Sequence, residues 1–267
     1  MNRHRPVRKD GELRGRFVGV GNIMKLQKVV LGAATAFALA ATATSASAGG
    51  SLKDSRPFSW SGFSIGVHAG YGFEGSGDQT NLTDTLGFID HAFNSVTTEG
   101  GFAGVSFARD WQSGNIVYGI VVDISASNFK GFSIPDGNTD NDGFETKIDW
   151  FGTVRGKLGY ASGPYLLYAT GGLAYGRVKA TQGDVDPPGN FDPGTGFVSG
   201  KETRVGWAAG GGVDVAVGSN LILGVEYLYV DLGDDTMTLN RVGGAGSSRV
   251  DVDSSIHTVR ANLRYKF

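Results

Sequence analysis

The stretch WSGFSIGVHAGYGF, Trp60 to Phe73, alternates without a break from Phe63 onward. Phe63, Ile65, Val67, Ala69, Tyr71 and Phe73 share one parity, and Ser64, Gly66, His68, Gly70 and Gly72 the other. Successive side chains of a strand point to opposite faces, so this period of two predicts a strand with a continuous apolar face backed by a small or polar one. The pattern recurs, giving eight predicted strands near 60–73, 101–111, 116–126, 148–160, 165–176, 203–217, 221–231 and 255–267. Ile116, Tyr118, Ile120, Val122 and Ile124 make the clearest of the other apolar faces, with Val205, Trp207, Ala209, Val213 and Val215, and Leu221, Leu223, Val225, Tyr227 and Tyr229. No segment carries a helical period.

The connections alternate in length. Gln112 to Asn115, Ala161 to Pro164 and Gly218 to Asn220 are tight turns, whereas the other four gaps run to roughly twenty residues. Long loops of that kind are unusual inside one compact soluble domain. An even number of strands with short turns at one end and long loops at the other suits an outer-membrane barrel, and closure removes the edges that lipid cannot satisfy. The prediction is an all-β fold: an eight-stranded antiparallel up-and-down transmembrane β-barrel with short periplasmic turns and four long extracellular loops.

The competing fold is a soluble sandwich or lipocalin-like barrel with its apolar face inward. Two features decide against it. Trp60, Tyr71, Trp111, Tyr118, Trp150, Tyr160, Tyr165, Tyr175, Tyr227, Tyr229 and Tyr265 crowd the apolar face near strand ends, as two interfacial girdles require. Each strand also reaches the roughly 9 to 11 residues needed to cross a bilayer at a tilt. The opposite face carries Asp123, Asp149, Arg155, Lys157, Asp214, Glu226, Arg260, Arg264 and Lys266 among Gly, Ser and Thr. An eight-stranded barrel is just wide enough for side chains to fill it, so Asp123, Arg155, Asp214, Glu226, Arg260 and Arg264 are expected to meet as a structural network of paired charges. An ion path lined by the same groups is the functional alternative. Gly66, Gly70, Gly119, Gly210 and Gly224 fall on the lumen parity, where they leave room for those long neighbours.

The chain has 267 residues, 44 of them Gly, no Cys, and 24 Lys plus Arg against 26 Asp plus Glu. Without cysteine there is no disulfide framework, thiolate metal site or catalytic thiol. The near-neutral balance supplies no basic patch for nucleic acid. From Met24 the sequence reads as a secretory signal: Lys25 and Lys28, an apolar run from Val29 to about Ala43, and Ala46-Ser47-Ala48 before the cut. Residues 1–48 are therefore expected to be an N-terminal extension and cleaved signal whose true start is Met24, 49–59 a short periplasmic segment, and 60–267 the barrel. Loss of eight basic and two acidic residues leaves 16 against 24, so the mature chain carries about minus 8.

Chemistry is hard to find. Past residue 48 the histidines are His68, His91 and His257, which show no metal-ligand spacing. His257 lies beside Ser254 and Ser255, but a hydrolase needs a nucleophile in reach of an oriented base, and no recognised motif surrounds them. No catalytic residue, cofactor or metal site is predicted. Glu74, Asp78, Asp84, Asp90 and Glu99 make the first loop region acidic, and Asp136, Asp140, Asp142 and Glu145 the second. PDGNTDNDG, Pro135 to Gly143, lacks the glutamate spacing of a calcium loop and reads as turn chemistry.

The last strand puts His257, Val259, Ala261, Leu263, Tyr265 and Phe267 on one face and ends on an aromatic residue. That ending resembles the signal read by the outer-membrane assembly machinery, with Tyr265 and Phe267 as its carriers. Taken together, WSGFSIGVHAGYGF, YGIVVDIS (Tyr118 to Ser125), DWFGTVRGKLGYA (Asp149 to Ala161), YLLYATGGLAYG (Tyr165 to Gly176), GWAAGGGVD (Gly206 to Asp214), LGVEYLYVDLG (Leu223 to Gly233) and VRANLRYKF resemble the small alphaproteobacterial outer-membrane β-barrel family of porin-like, immunogenic surface proteins. The resemblance implies an abundant structural protein of the outer membrane, in contact with its lipid and lipopolysaccharide. It also implies low-conductance porins, haem binders or host-interaction factors among the members, the last acting on extracellular ligands through the loops.

Overall fold

The computed structural model describes residues 58–73, 82–83, 98–133, 142–186, 190–191, 198–241 and 247–267. The signal segment, His91 and the acidic residues at 74, 78, 84, 90, 136 and 140 lie outside them. The described strands are β1 (Gly62–Phe73), β2 (Leu82–Thr83), β3 (Thr98–Ser113), β4 (Ile116–Ser133), β5 (Asp142–Ser162), β6 (Tyr165–Asp186), β7 (Asn190–Phe191), β8 (Val198–Val217), β9 (Leu221–Arg241) and β10 (Ser247–Lys266). Eight long ones form a ring in the order β1-β3-β4-β5-β6-β8-β9-β10, which β1 closes by pairing antiparallel with β10 from Ser64↔Lys266 to Phe73↔His257. The short β2 pairs with β10, and β7 with β6.

The tight turns form where Gly114, Gly163 and Gly218 adopt positive φ of 60°, 59° and 70°. A Cβ would strain that conformation, and no other residue type accepts it as easily. Asn115 ties the first turn to the next hairpin: its carbonyl accepts from Ala161 N at 2.7 Å and its Nδ2 donates to Ala161 O at 2.9 Å. At the same end Phe267 N donates to Phe63 O at 2.9 Å, so both strand termini lie with the turns, at the periplasmic end of such a barrel.

The outer wall is the apolar face. Phe63, Ile65, Val67, Val105, Ile120, Leu158, Leu167, Leu173 and Val205 are exposed, up to 69% for Val205. The strands run longer than the sequence period predicts, because beyond the bilayer they continue as polar hairpins. Only residues 134–141 separate β4 from β5, and 242–246 separate β9 from β10, in place of gaps near twenty. A strand of 21 residues such as β5 rises roughly 50 Å at the usual tilt, well past a hydrocarbon layer of about 30 Å.

Two placements differ from the sequence reading. Trp60 is no girdle residue: it is 1% exposed inside the barrel mouth, its ring edge-on to Phe58 at 4.9 Å. It shares the even parity of the inward residues Ser64, Gly66 and His68, and only its aromatic side chain near a strand end suggested otherwise. Asp149 is exposed on the outside, because β5 carries one residue more than β6 between Ile148↔Val178 and Trp150↔Arg177, a bulge that reverses its parity.

Lumen glycines sit against backbone and long side chains. A Cβ on Gly172 would lie 2.7 Å from Arg155 Cα and closer still to the Val154 carbonyl, whereas one on Gly156, on the outer wall, meets only Gly171 O at 3.8 Å. Gly172→Val is therefore expected to lower stability by about 1–3 kcal/mol through overpacking, and Gly156→Val to leave it unchanged. Heat-modifiable gel mobility against temperature measures both, and equal midpoints for the two variants would refute the packed-lumen account.

Candidate functional site

Read from the turn end outward, the inward side chains of β5 and β9 repeat one order: apolar, then charged or hydroxylic, then apolar. On β5 they are Ala161, Lys157, Arg155, Thr153, Phe151 and Ile148; on β9, Ile222, Glu226, Leu228, Val230 and Leu232. The ring stacks these into layers. Trp60, Val117, Ala161, Leu166, Tyr168 and Ile222 close the periplasmic end. Phe102, Phe129, Ile148, Phe151, Val178, Leu228, Leu232 and Ile256 pack across the outer half, with Phe102 and Phe151 edge-on at 5.3 Å and Phe129 stacked on Phe151 at 5.8 Å.

All six residues expected in the network are buried in the lumen, with Asp214 and Arg264 in register with Leu166 and Ile222 of the periplasmic cluster and the others farther out. Arg155 is the hub: it donates from Nη2 to Asp123 Oδ2 at 2.9 Å, from Nη1 to Glu226 Oε1 at 3.0 Å, and from Nε to Thr153 Oγ1 at 2.8 Å. Thr153 Oγ1 in turn donates a hydrogen bond to Asp123 Oδ2 at 2.6 Å. Arg260 reaches the same two carboxylates, Glu226 at 2.5 Å and Asp123 at 3.3 Å. Arg264 does not join this knot. It pairs with Asp214, in a second group nearer the periplasm that includes Lys157 donating to Asp110 Oδ2 at 2.8 Å. Tyr168 links the layers by donating to Glu226 Oε2 at 2.8 Å from within the periplasmic plug.

The eight ionised groups named here, Arg155, Lys157, Arg260 and Arg264 against Asp110, Asp123, Asp214 and Glu226, balance four to four. Balance matters because an unpaired charge in a dry lumen costs several kcal/mol. Asp110, Lys157 and the hydroxyls of Thr153 and Tyr168 were absent from the sequence reading of the network, which placed Lys157 only on the polar face. Parity flags Asp110, which shares the inward face of β3 with Ser106 and Phe102; nothing in the sequence shows which charges meet. Lys266 stays out of the network, its Nζ lying 5.4 Å from the Phe58 ring centre at the mouth.

The histidines separate. His68 is buried with Nε2 2.8 Å from Ser125 Oγ, beneath Phe102 at 6.1 Å between ring centres. His257 is on the outer wall, Nδ1 2.5 Å from Tyr227 Oη and its ring against Tyr229 at 4.9 Å, while Ser254 is buried on the other face. Among the described residues no three His, Asp or Glu side chains converge as metal ligands. Tyr265 and Phe267 are exposed on the outer wall, their rings edge-on at 5.3 Å.

The sequence matches the outer membrane protein beta-barrel domain family over residues 29–267. It is 37% identical over 226 residues to the 31 kDa outer-membrane immunogenic protein of Brucella melitensis, covering 79% of this chain and 85% of that one. To the 22 kDa outer membrane protein of Rhizobium leguminosarum it is 32% identical over 173 residues, covering 65% of this chain and 64% of that one. The outer membrane protein OprG of Pseudomonas aeruginosa has a similar fold, with a TM-score of 0.52, 13% identity, and coverage of 80% of this chain and 100% of that one.

Asp123 serves two arginines at once. Asp123→Ala is expected to cost about 3–5 kcal/mol by leaving them underpaired, whereas replacing the Asp110–Lys157 pair together by Leu and Met should cost far less or nothing. Urea unfolding of the refolded variants, followed by tryptophan fluorescence, gives both numbers. A cost for the double variant matching that of Asp123→Ala would mean that the ion pairs stabilise the barrel outright.

Proposed function

We propose, for a chain that belongs to the outer membrane protein beta-barrel family, a structural and interfacial role: a sealed barrel that reinforces the outer membrane and presents its loops outside. The observation that carries this reading is the pair of apolar clusters in the lumen, one on either side of the Arg155 group of charges. Water and small solutes need a continuous polar path, and the rings of Phe102, Phe129 and Phe151 at one end and Trp60 at the other leave the charged layers enclosed. Ion pairs that satisfy one another are also poor relays for a passing ion, since each would have to give up a partner.

Hairpins that continue beyond the bilayer lift the loops into the surroundings, which favours contact with host or other extracellular ligands as a second role. The relatives named immunogenic outer-membrane proteins fit a surface that is seen from outside. Export under a signal cut after Ala48 and recognition of Tyr265 and Phe267 by the assembly machinery complete the reading. The exposed position of both rings on the outward face of β10 leaves them free for such recognition before insertion.

Planar bilayer recording tests the seal. The purified protein is expected to give no open steps, and the variant with Trp60, Phe102 and Phe151 all changed to Ala to give them if it still folds. Discrete steps from the unchanged protein would refute the sealed lumen and restore the low-conductance porin. For assembly, deletion of Phe267 is expected to reduce the amount of protein in the outer membrane several-fold while leaving refolding in detergent intact; undiminished membrane levels would remove the terminal signal.

A further inference from the structure

The two seals of the lumen are built differently. Phe102, Phe129, Ile148, Phe151, Leu228 and Ile256 of the outer cluster all belong to strands of the ring. In the inner cluster Val117, Ala161, Leu166, Tyr168 and Ile222 do too, whereas Trp60 stands two residues ahead of β1. Among the described residues it is the one member of either cluster that no strand ladder holds, since the pairs of β1 begin only at Gly62 with β3 and at Ser64 with β10. Trp60 is nevertheless 1% exposed, because it packs among residues of β4, β5, β6 and β9. In the ring of eight β6 stands opposite β1, so the side chain closes the mouth from one wall against the other.

Its attachment is slight. Trp60 N donates to Gln112 Oε1 at 2.8 Å, and Gln112 N donates to Ser61 Oγ at 2.8 Å, so one residue beside the first tight turn clamps the segment. Gln112 Nε2 donates in turn to Gly114 O at 2.8 Å, which fixes the clamp to that turn. The indole Nε1 of Trp60 is buried and has no hydrogen-bond partner among the described residues. A buried donor without a partner favours withdrawal to water, where it regains one. Next in the chain, Gly62 has a φ of 147°, and a Cβ there would lie 2.9 Å from Phe267 O and 3.0 Å from Lys266 Cε. Only glycine takes that conformation in that space, and it stands where the chain turns from the mouth into the wall. Rotation about its φ carries residues 58–61 and leaves the ladder from Phe63 onward in place.

We infer that residues 58–61 are a swinging plug, hinged at Gly62 and clamped by Gln112, that opens the inner part of the lumen to the periplasm while the outer cluster stays shut. The inference rests on the sealed-barrel reading and adds to it how the inner seal is released. With Trp60 withdrawn, small water-soluble molecules of the periplasm reach the pocket walled by Val117, Leu166 and Ile222, and behind it the Lys157–Asp110 and Arg264–Asp214 pairs. The outer cluster blocks them there, since every one of its members is fixed in a strand. The opened space is a chamber with one mouth, and solutes enter and leave it on the periplasmic side alone.

The chain has no cysteine, so a single introduced thiol reports on its own site. Protein refolded in detergent, with folding verified by heat-modifiable mobility, carries Ile222→Cys in the inner cluster or Leu228→Cys in the outer one and is treated with a small water-soluble methanethiosulfonate. Ile222→Cys is expected to be labelled while the barrel stays folded, and the further changes Ser61→Ala/Gln112→Ala, which remove both clamping hydrogen bonds, to raise its rate about tenfold. Leu228→Cys is expected to stay unlabelled with and without the clamp, and Ser61→Ala/Gln112→Ala to give no open steps in planar bilayers. Should Ile222→Cys not fold, Leu166→Cys of the same cluster takes its place. No labelling of the inner thiol before unfolding, or an equal rate with and without the clamp, would overturn the plug and leave the sealed barrel standing. Labelling of Leu228→Cys as fast as Ile222→Cys, or open steps from the unclamped variant, would overturn the outer seal and both readings with it.

Discussion

A sheet immersed in hydrocarbon has nowhere to send an unpaired N–H or C=O, and the pairing of β1 with β10 meets that constraint. Ten consecutive residue pairs close the ring, from Ser64↔Lys266 to Phe73↔His257. Once the ring is closed every strand acquires an inside and an outside, and the period of two becomes a division of labour. Phe63, Ile65 and Val67 meet lipid while Ser64, Gly66 and His68 on the same strand face a lumen too narrow for water to dominate.

That narrowness determines the interior chemistry. Long cationic side chains need length to cross the lumen and small residues beside them to do so. Gly66 is backed by the Arg264 side chain, Gly119 by the Asp110 carboxylate and Gly224 by that of Asp214. Glycine on the inner face and charge on the inner face are thus one feature. The resulting ion pairs contribute less to net stability than their closeness suggests, since desolvation offsets most of the attraction. Their stronger effect is to penalise misregister: a strand slipped by one residue would put Arg155 or Glu226 into lipid.

The ring and the sense of each strand were legible in the sequence because both depend on parity alone. Residues such as Ile120, Leu158 and Tyr227 declare their face by alternation with Gly119, Lys157 and Glu226. The lumen charges were legible as a set for the same reason, but not their partners. Arg264 joins Asp214 rather than the Arg155 knot because the strand stagger places them at one height, and stagger has no signature in a single strand. The plugs were missed for a different reason: Phe102, Phe129 and Phe151 are apolar residues on the polar parity, which a two-letter reading treats as noise. Trp60 was misplaced by trusting residue type over parity.

The bulge at Asp149 shows how much one unpaired residue can decide. From Lys157 through Arg155, Thr153 and Phe151 the inward residues of β5 are odd-numbered, and unbroken alternation would next send Asp149, Lys147 and Glu145 into the lumen. Two carboxylates and a lysine would then stand where the outer plug is packed. With the bulge, Asp149 and Trp150 both point outward, and Ile148 and Thr146 turn inward instead. Ile148 thereby completes the apolar layer around Phe129 and Phe151, and Lys147 comes out into register between Lys130 and Lys179. The same extra residue that seals the lumen also aligns the external cations. Straightening the strand with Asp149 retained would undo both at once, whereas deleting Asp149 would leave Phe151, Trp150, Ile148 and Lys147 in plain alternation and keep both, so the interior of this barrel and its outer surface depend on how one residue is absorbed.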